Sequence, residues 1–322
     1  MLFTVYFYAI IEPISIRPQK RGPDDGKGVP SMFKILTDNG ADLDRAFLEK
    51  NDVGCMYLST ILEGKVIAGA EKDLPARDFY EMLKNGAKPT TSQINPEEAY
   101  SYFERHIGEA DEFLYVGLSS GLSGTVGSVR AAAEEIMEKY PEKKIEVVDS
   151  LTGSPGEALL VYYAVTLRSE GKSLEETAAW VRENAGHVLL AITVDNLFDL
   201  WRGGRVSRSS AVLGSLISIK PFLIVDSQGK LQVTKKIRGR KKSLCYLADY
   251  MEQHMGSYRE RNRQMVMIHH GNVPEDAAFT EELLRSRFGF ENIMIGNVGP
   301  MIGTHTGPSI VVVAFLGEQR IG

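Results

Sequence analysis

The sequence predicts an α/β protein in two domains, a parallel-sheet α/β/α N-terminal domain followed by an α+β C-terminal domain. Three observations carry that reading. From Met32 to about residue 171, short apolar runs alternate with segments of helical length, the grammar of parallel βαβ units. Beyond about Gly186 the runs pair as hairpins set among helices, which suits an α+β arrangement. The chain has 322 residues, 43% hydrophobic and 25% charged, an ordinary globular composition with length enough for two cores. The expected divisions are a disordered extension over 1–31, an N-terminal domain over 32–171 and a C-terminal domain over 172–322.

The extension is dense in Pro, Gly and charge from Glu12 to Ser31 and offers little to bury. Phe33–Thr37 is a short apolar strand and Asp42–Lys50 a helical segment. Cys55–Leu62 and Lys65–Ala70 read as two strands joined by a turn at Glu63-Gly64. Asn95-Pro96-Glu97-Glu98 opens a helix that runs to about Ile107: Asn caps it, Pro takes the first helical position, and Glu98 can reach back to the cap. Phe113–Val116 is a buried strand, followed by a Gly/Ser turn and a helix from about Thr125 to Tyr140. Lys144–Val148 is the next strand, with helices over Gly156–Ser169 and Leu174–Glu183, the second capped by Ser173 with Glu176. In the second half Val188–Val194 and Phe222–Val225 are strands, and Gly229 turns the chain into Lys230–Lys236. Helices over Lys242–Met255 and Glu275–Phe288 and strands at Gln264–His269, Asn292–Asn297 and Ile310–Phe315 complete the set.

Composition excludes several classes. Thirty-seven basic against 42 acidic residues give a net charge of −5, so no global field attracts nucleic acid. The two cysteines, Cys55 and Cys245, cannot build a disulfide framework or a thiolate zinc site, and they point to a reducing, cytoplasmic setting. No apolar stretch approaches the roughly 18 residues of a membrane span; Leu2–Ile11 is too short and lacks the basic start of a signal peptide. Neither G-x-x-x-x-G-K-S/T nor G-x-G-x-x-G occurs, so the standard nucleotide loops are absent and no cofactor is implied.

The most informative stretch is Gly117 to Thr125, rich in Gly, Ser and Thr, between a strand and a helix. A helix N-terminus presents unpaired N–H groups, and hydroxyls beside it add donors, so this turn suits a carboxylate or phosphate. Gly117-Leu118-Ser119-Ser120-Gly121 also fits the Gly-x-Ser-x-Gly nucleophile elbow, and Asp195 with His305 would satisfy the chain order of a serine hydrolase. Thr90-Thr91-Ser92-Gln93 sets further hydroxyls at the entrance of the Asn95 helix. Gly299 to Pro308 packs Gly and Pro around His305, which is expected on a loop. His269 and His270 end a strand, and His106, His187 and His254 are given no role. Basic residues cluster at Arg202–Arg208 and Lys235–Lys242, with no aromatic interleaving of the kind nucleic-acid binders show, so an acidic or phosphate-carrying partner fits better.

Taken together, these segments resemble the DegV family of bacterial fatty-acid-binding proteins. The resemblance covers nearly everything from Met32 onward: Thr37-Asp38-Asn39-Gly40-Ala41-Asp42-Leu43, the loop Pro89–Gln93, Ser119–Thr125, Val148-Asp149-Ser150, Leu200–Ser207, Ile219-Lys220-Pro221, Lys236–Lys242 and Val298–Pro308. It implies a long-chain fatty acid held between the two domains, its carboxylate bound by Thr90, Thr91, Ser119 and Ser120 with His305 nearby. It further implies a carrier role for a separate ATP-dependent fatty acid kinase, with Arg205, Arg238 and Lys241 facing that partner. Asn39 stands where the family has Ser, and Ser309 where it has Gly, both at the pocket mouth in the family picture; residues 1–31 have no counterpart. Energetics agree with a lipid: at about 0.8 kcal/mol per buried CH₂, a 16-carbon tail contributes on the order of 10 kcal/mol before ordering costs.

Overall fold

The computed structural model of the chain describes residues 33–70, 72–207, 218–260 and 264–320. The extension expected over 1–31 lies outside them. Four strands form a wholly parallel sheet: β1 (Lys34–Asp38), β2 (Val53–Met56), β6 (Glu112–Gly117) and β7 (Lys144–Asp149), in the order β2-β1-β6-β7. The unbroken run Phe113-Leu114-Tyr115-Val116 is fully buried, as a central strand covered on both faces must be. Phe113 and Tyr115 pack with Phe103 of α3 (Pro96–His106) and with Val129 and Ile136 of α4 (Thr125–Lys139). Period-two alternation leaves the other face to α5 (Pro155–Ser169) and α6 (Leu174–Ala185).

The second sheet has the order β10-β9-β8-β13-β11-β12, from β8 (Val188–Thr193), β9 (Ile219–Val225), β10 (Leu231–Arg238), β11 (Val266–His270), β12 (Ile293–Asn297) and β13 (Val311–Leu316). Its pairs are antiparallel except β11 with β12. Helices α8 (Arg240–His254) and α9 (Pro274–Phe288) close one face around Leu247, Met251, Leu284 and Phe315. On the other face α5 packs against β8, β11 and β13 while also touching β1 and β6, so this one helix lies between the two sheets. Helix α6 packs on β6 and β7, and the chain crosses to the second sheet after it.

Both expected capping boxes form, at Asn95 with Glu98 and at Ser173 with Glu176. The run expected as one strand over Cys55–Leu62 is instead two. After β2 the chain leaves the parallel sheet, and β3 (Ser59–Leu62) joins β4 (Lys65–Ala68) and β5 (Thr90–Ser92) in a small antiparallel sheet. The break is held by Asn39, whose side-chain amide donates to Leu58 O at 3.0 Å and accepts from Leu58 N at 2.8 Å, standing in for a neighbouring strand. His305 is not on a loop but in a short helix, α10 (Pro300–Thr306). Pro300 at its first position supplies a helical φ, and Gly307, at φ 74°, ends it. Two more short helices, α1 (Arg45–Lys50) and α7 (Phe198–Arg202), and the longer α2 (Ala76–Lys84) complete the order; α2 and α7 have no sequence-level counterpart above.

Candidate functional site

A cavity of about 610 Å³ opens between the sheets, beyond the C-terminal ends of β6 and β7, the end at which parallel α/β sheets generally receive ligands. Strand alternation builds one wall. Leu190 and Ile192 of β8 and Val312 of β13 face the cavity, while the intervening Leu189, Ala191, Val311 and Val313 face α8. Val225 and Leu231 extend this wall across the β9–β10 hairpin, and Leu118, Leu122, Met301 and Ile302 oppose it. The size is that of a small-molecule site, and most of the lining is apolar.

Polar groups gather where β5, α10 and the segment after α7 meet. Thr91 Oγ1 lies 2.8 Å from His305 Nε2, and both side chains line the cavity. Burial, followed by the charges of Arg205 and Arg202, pushes His305 down to about 4, so its ring is neutral. Its Nδ1 is buried without a hydrogen-bond partner. The ring sits against Gly203, where a Cβ would come within 2.1 Å of Nδ1. Arg205 also lines the cavity, half-buried, donating from Nε to Leu122 O at 3.2 Å and from Nη1 to Gly203 O. Among the described residues no carboxylate pairs with it. Arg202 ties the region together by donating to Pro89 O, Thr304 O and Asp199.

The Gly/Ser turn after β6 is differently arranged. Ser119 is fully buried; its hydroxyl donates to Gly229 O at 2.8 Å and accepts from Gly121 N at 3.0 Å, docking the turn on the β9–β10 hairpin. Gly229 has φ 73°, and a Cβ there would stand 2.0 Å from Ser119 Oγ. Ser119 therefore does not line the cavity, whereas Ser120 and Ser123 do. The first amides of α4 are already used: Gly124 N donates to Gln93 and Thr125 N to Ser123. Thr90 is exposed and off the cavity, as are Arg238 and Lys241 at the β10–α8 corner. Asn39 and Ser309 do not line it either; Ser309 Oγ accepts from Asp195 N.

No hydrogen bond joins Ser119, His305 and Asp195. Asp195 is exposed and paired with Lys220 at 2.7 Å, and the Ser119 hydroxyl is spent on a carbonyl. The elbow motif thus carries a structural serine here.

A second polar group, not found from the sequence, borders the cavity at the loop after β7. Ser154 lines it, with a backbone of φ 52° and ψ −126° that non-glycine residues rarely adopt. Its Oγ donates to Asp42 Oδ2 at 2.6 Å and lies 3.2 Å from His269 Nδ1. Asp42 Oδ1 accepts from Gly299 N at 2.9 Å. Burial pushes Asp42 up to about 7 and His269 down to about 3. Behind them Asp38 accepts from Tyr115 and from the Leu118 and Gly40 amides, and burial raises both Asp38 and Glu157. The available sequence signal was Gly153-Ser154-Pro155-Gly156 at a strand-to-helix turn, together with two aspartates flanking Asn39-Gly40-Ala41. Among the described residues no His, Cys, Asp and Glu cluster could hold a metal ion, and no helix is long and apolar enough to cross a membrane.

Known proteins share this architecture. A family model described as an uncharacterised protein of the DegV family matches residues 32–318. A DegV domain-containing protein of Clostridium perfringens is 37% identical over 289 residues, covering 89% of this chain and 98% of the relative. A solved fatty-acid-binding DegV family protein from Thermus thermophilus superposes with a TM-score of 0.77 at 27% identity, covering 88% of this chain and 99% of that one. DegV of Bacillus subtilis, described as a fatty acid binding protein, gives 0.77 at 25% identity, covering 89% and 100%.

Proposed function

The chain belongs to the DegV family, and from that premise we propose that it binds a long-chain fatty acid and presents the carboxylate to a separate ATP-dependent fatty acid kinase for acyl phosphate formation. The observation that carries this reading is an apolar cavity with one charged, under-paired end. Leu190, Ile192, Val225, Leu231 and Val312 offer methylene-compatible walls, while Thr91, His305 and Arg205 stand together and, among the described residues, no carboxylate pairs with Arg205. If His305 Nε2–H donates to Thr91 Oγ1, the threonine hydrogen is left to point at a ligand oxygen. Arg205 then supplies a charge-assisted bond of the stronger kind. Ser120 adds a hydroxyl from the opposite turn.

The chain is on this reading a carrier rather than an enzyme by itself, acting in the cytoplasm where an ATP-using partner works. Of the three cations expected to face that partner, Arg238 and Lys241 are exposed and off the lining and keep the docking role, whereas Arg205 lines the cavity and is assigned to the carboxylate instead. The test is denaturing mass spectrometry of solvent extracts from purified protein, followed by binding of defined fatty acids. A co-purifying long-chain acid and saturable rebinding are the expected result; an empty protein that binds no acid overturns the reading.

A further inference from the structure

We propose that Ser154 forms a second polar subsite, placed to hydrogen-bond a hydroxyl carried midway along the acyl chain, so that mid-chain hydroxylated long-chain fatty acids belong to the ligand class. The inference rests on the fatty-acid reading above and extends it. Ser154 lines the same cavity as Thr91 and His305, yet its side chain makes no capping bond to the α5 it precedes. The hydroxyl is held from behind by Asp42 and His269. A hydroxyl has one hydrogen and two lone pairs. With the hydrogen given to Asp42 and one lone pair receiving His269 Nδ1–H, one lone pair remains unused. With Asp42 protonated the first bond reverses, and the Ser154 hydrogen becomes available instead. Either state serves a neutral hydroxyl, which both donates and accepts.

Helix α10 sets the spacing. Asp42 Oδ1 accepts the amide of Gly299, the residue before α10, and His305 lies six residues further along. At the α-helical rise this separates the two polar ends by roughly 9 Å. A chain held by its carboxylate at Thr91 and His305 therefore meets Ser154 partway along its methylenes. An anionic group does not suit this end, because the carboxyls of Asp42, Asp38 and Glu157 stand behind it and, among the described residues, no Lys or Arg pairs with them. A chain hydroxyl left unbonded in the cavity is disfavoured, and Ser154 removes that penalty.

The test is the ratio of dissociation constants for octadecanoic acid and its mid-chain hydroxylated analogues, measured on the full chain. The wild type is expected to bind a mid-chain hydroxy acid at least as tightly as octadecanoic acid, and Ser154→Gly to shift the ratio about tenfold toward the plain acid. Glycine holds φ 52° without strain, so the fold is kept; Ser154→Ala, which keeps the Cβ, should move the ratio the same way. An analogue hydroxylated beside the carboxylate should show no such shift. A ratio unmoved by both variants, or a wild type that rejects every mid-chain hydroxy acid while binding octadecanoic acid, overturns the subsite and leaves the fatty-acid reading intact. Failure of the wild type to bind either acid overturns both.

Discussion

The two polar ends of α10 differ in the charge they gather: carboxyls at one, an under-paired arginine at the other. Beside its N-terminus, both oxygens of Asp42 accept hydrogen bonds, from Ser154 and Gly299, and among the described residues no Lys or Arg pairs with it. Beside its C-terminus, the half-buried Arg205 guanidinium has only two backbone carbonyls and, among the described residues, no carboxylate. A buried polar group left unpaired is costly, and a cationic one more so. The under-satisfied end is thus the one whose electrostatics improve when a carboxylate arrives. The end beside Asp42, Asp38 and Glu157 accommodates neutral ligand atoms and disfavours an anion. An under-paired buried cation, rather than the mere presence of hydroxyls, is what suits one end to an anion. The Ser119 turn makes the same point: it is rich in donors, and most are already used.

The comparison breaks most sharply at Gly203. A methyl group there would stand 2.1 Å from His305 Nδ1, so Gly203→Ala must displace the ring and with it the bond to Thr91. Overpacking of this kind costs about 1–3 kcal/mol, which read as binding is roughly tenfold to hundredfold weaker fatty acid affinity. Gly127 of α4 has nothing within 4 Å of its Cβ position, and Gly127→Ala is the control that should leave affinity unchanged. Equal titration calorimetry curves for the two variants would remove His305 from the site.

Next in size is the charge itself. Thr91→Ala and Arg205→Gln should each weaken binding of a long-chain acid about tenfold, since a hydrogen bond to a charged group contributes roughly 1.5–3 kcal/mol. The methyl ester of the same acid should lose far less. If acid and ester suffer alike, the end beside His305 is no receptor for charge.

The two ends should also titrate with opposite sign. Burial raises Asp42 from 3.8 to about 7, so across that window the folded protein keeps a proton that the unfolded chain has released, and stability falls as pH rises. Burial and then the two arginines lower His305 from 6.5 to about 4, so the unfolded chain takes up the proton first, and stability falls as pH drops. Urea midpoints read against pH should show the wild type losing ground to Asp42→Asn as pH climbs toward 7. Against His305→Gln it should gain ground between about 4 and 6.5. Slopes of the same sign would erase the distinction between the ends.

Much of this was legible in the sequence. The apolar runs, the two capping boxes and the order of strands and helices follow from local physics that acts within a few residues. Thr91, Ser120 and His305 were flagged by residue type and by resemblance, and they do line one cavity. What the sequence withheld depends on partners far along the chain. Ser119 and Ser120 are neighbours of identical chemistry, and only the approach of Gly229, 110 residues away, turns one hydroxyl into a structural tether. The strand expected through Tyr57 breaks because Asn39 pairs with Leu58. Asp42, Ser154 and His269 meet across 112 and 115 residues, with no local pattern to announce it. Arg205 and Arg238 looked alike as loop cations, yet the fold turns one into the cavity and leaves the other exposed.

That separation of the arginines yields the smallest expected effect on lipid binding. Arg238 and Lys241 lie at an exposed corner, and Lys241 rests its ammonium 5.5 Å above the Phe279 ring without pairing to an acid among the described residues. Charge reversal at either position should leave fatty acid affinity within about 0.5 kcal/mol, as for surface changes generally. If these residues dock an acidic, ATP-bearing partner, reversal should slow kinase-dependent phosphorylation chiefly through the association rate, and added salt should mimic the effect in the wild type. Arg205→Gln should behave otherwise, weakening the lipid itself at every salt concentration because its guanidinium is half-buried and screened less by ions. Measuring lipid affinity and phosphorylation rate in parallel across a salt series separates the two. Loss of lipid binding in Arg238→Glu, or phosphorylation indifferent to both surface reversals, would show that the cations cannot be divided between cavity and surface as drawn.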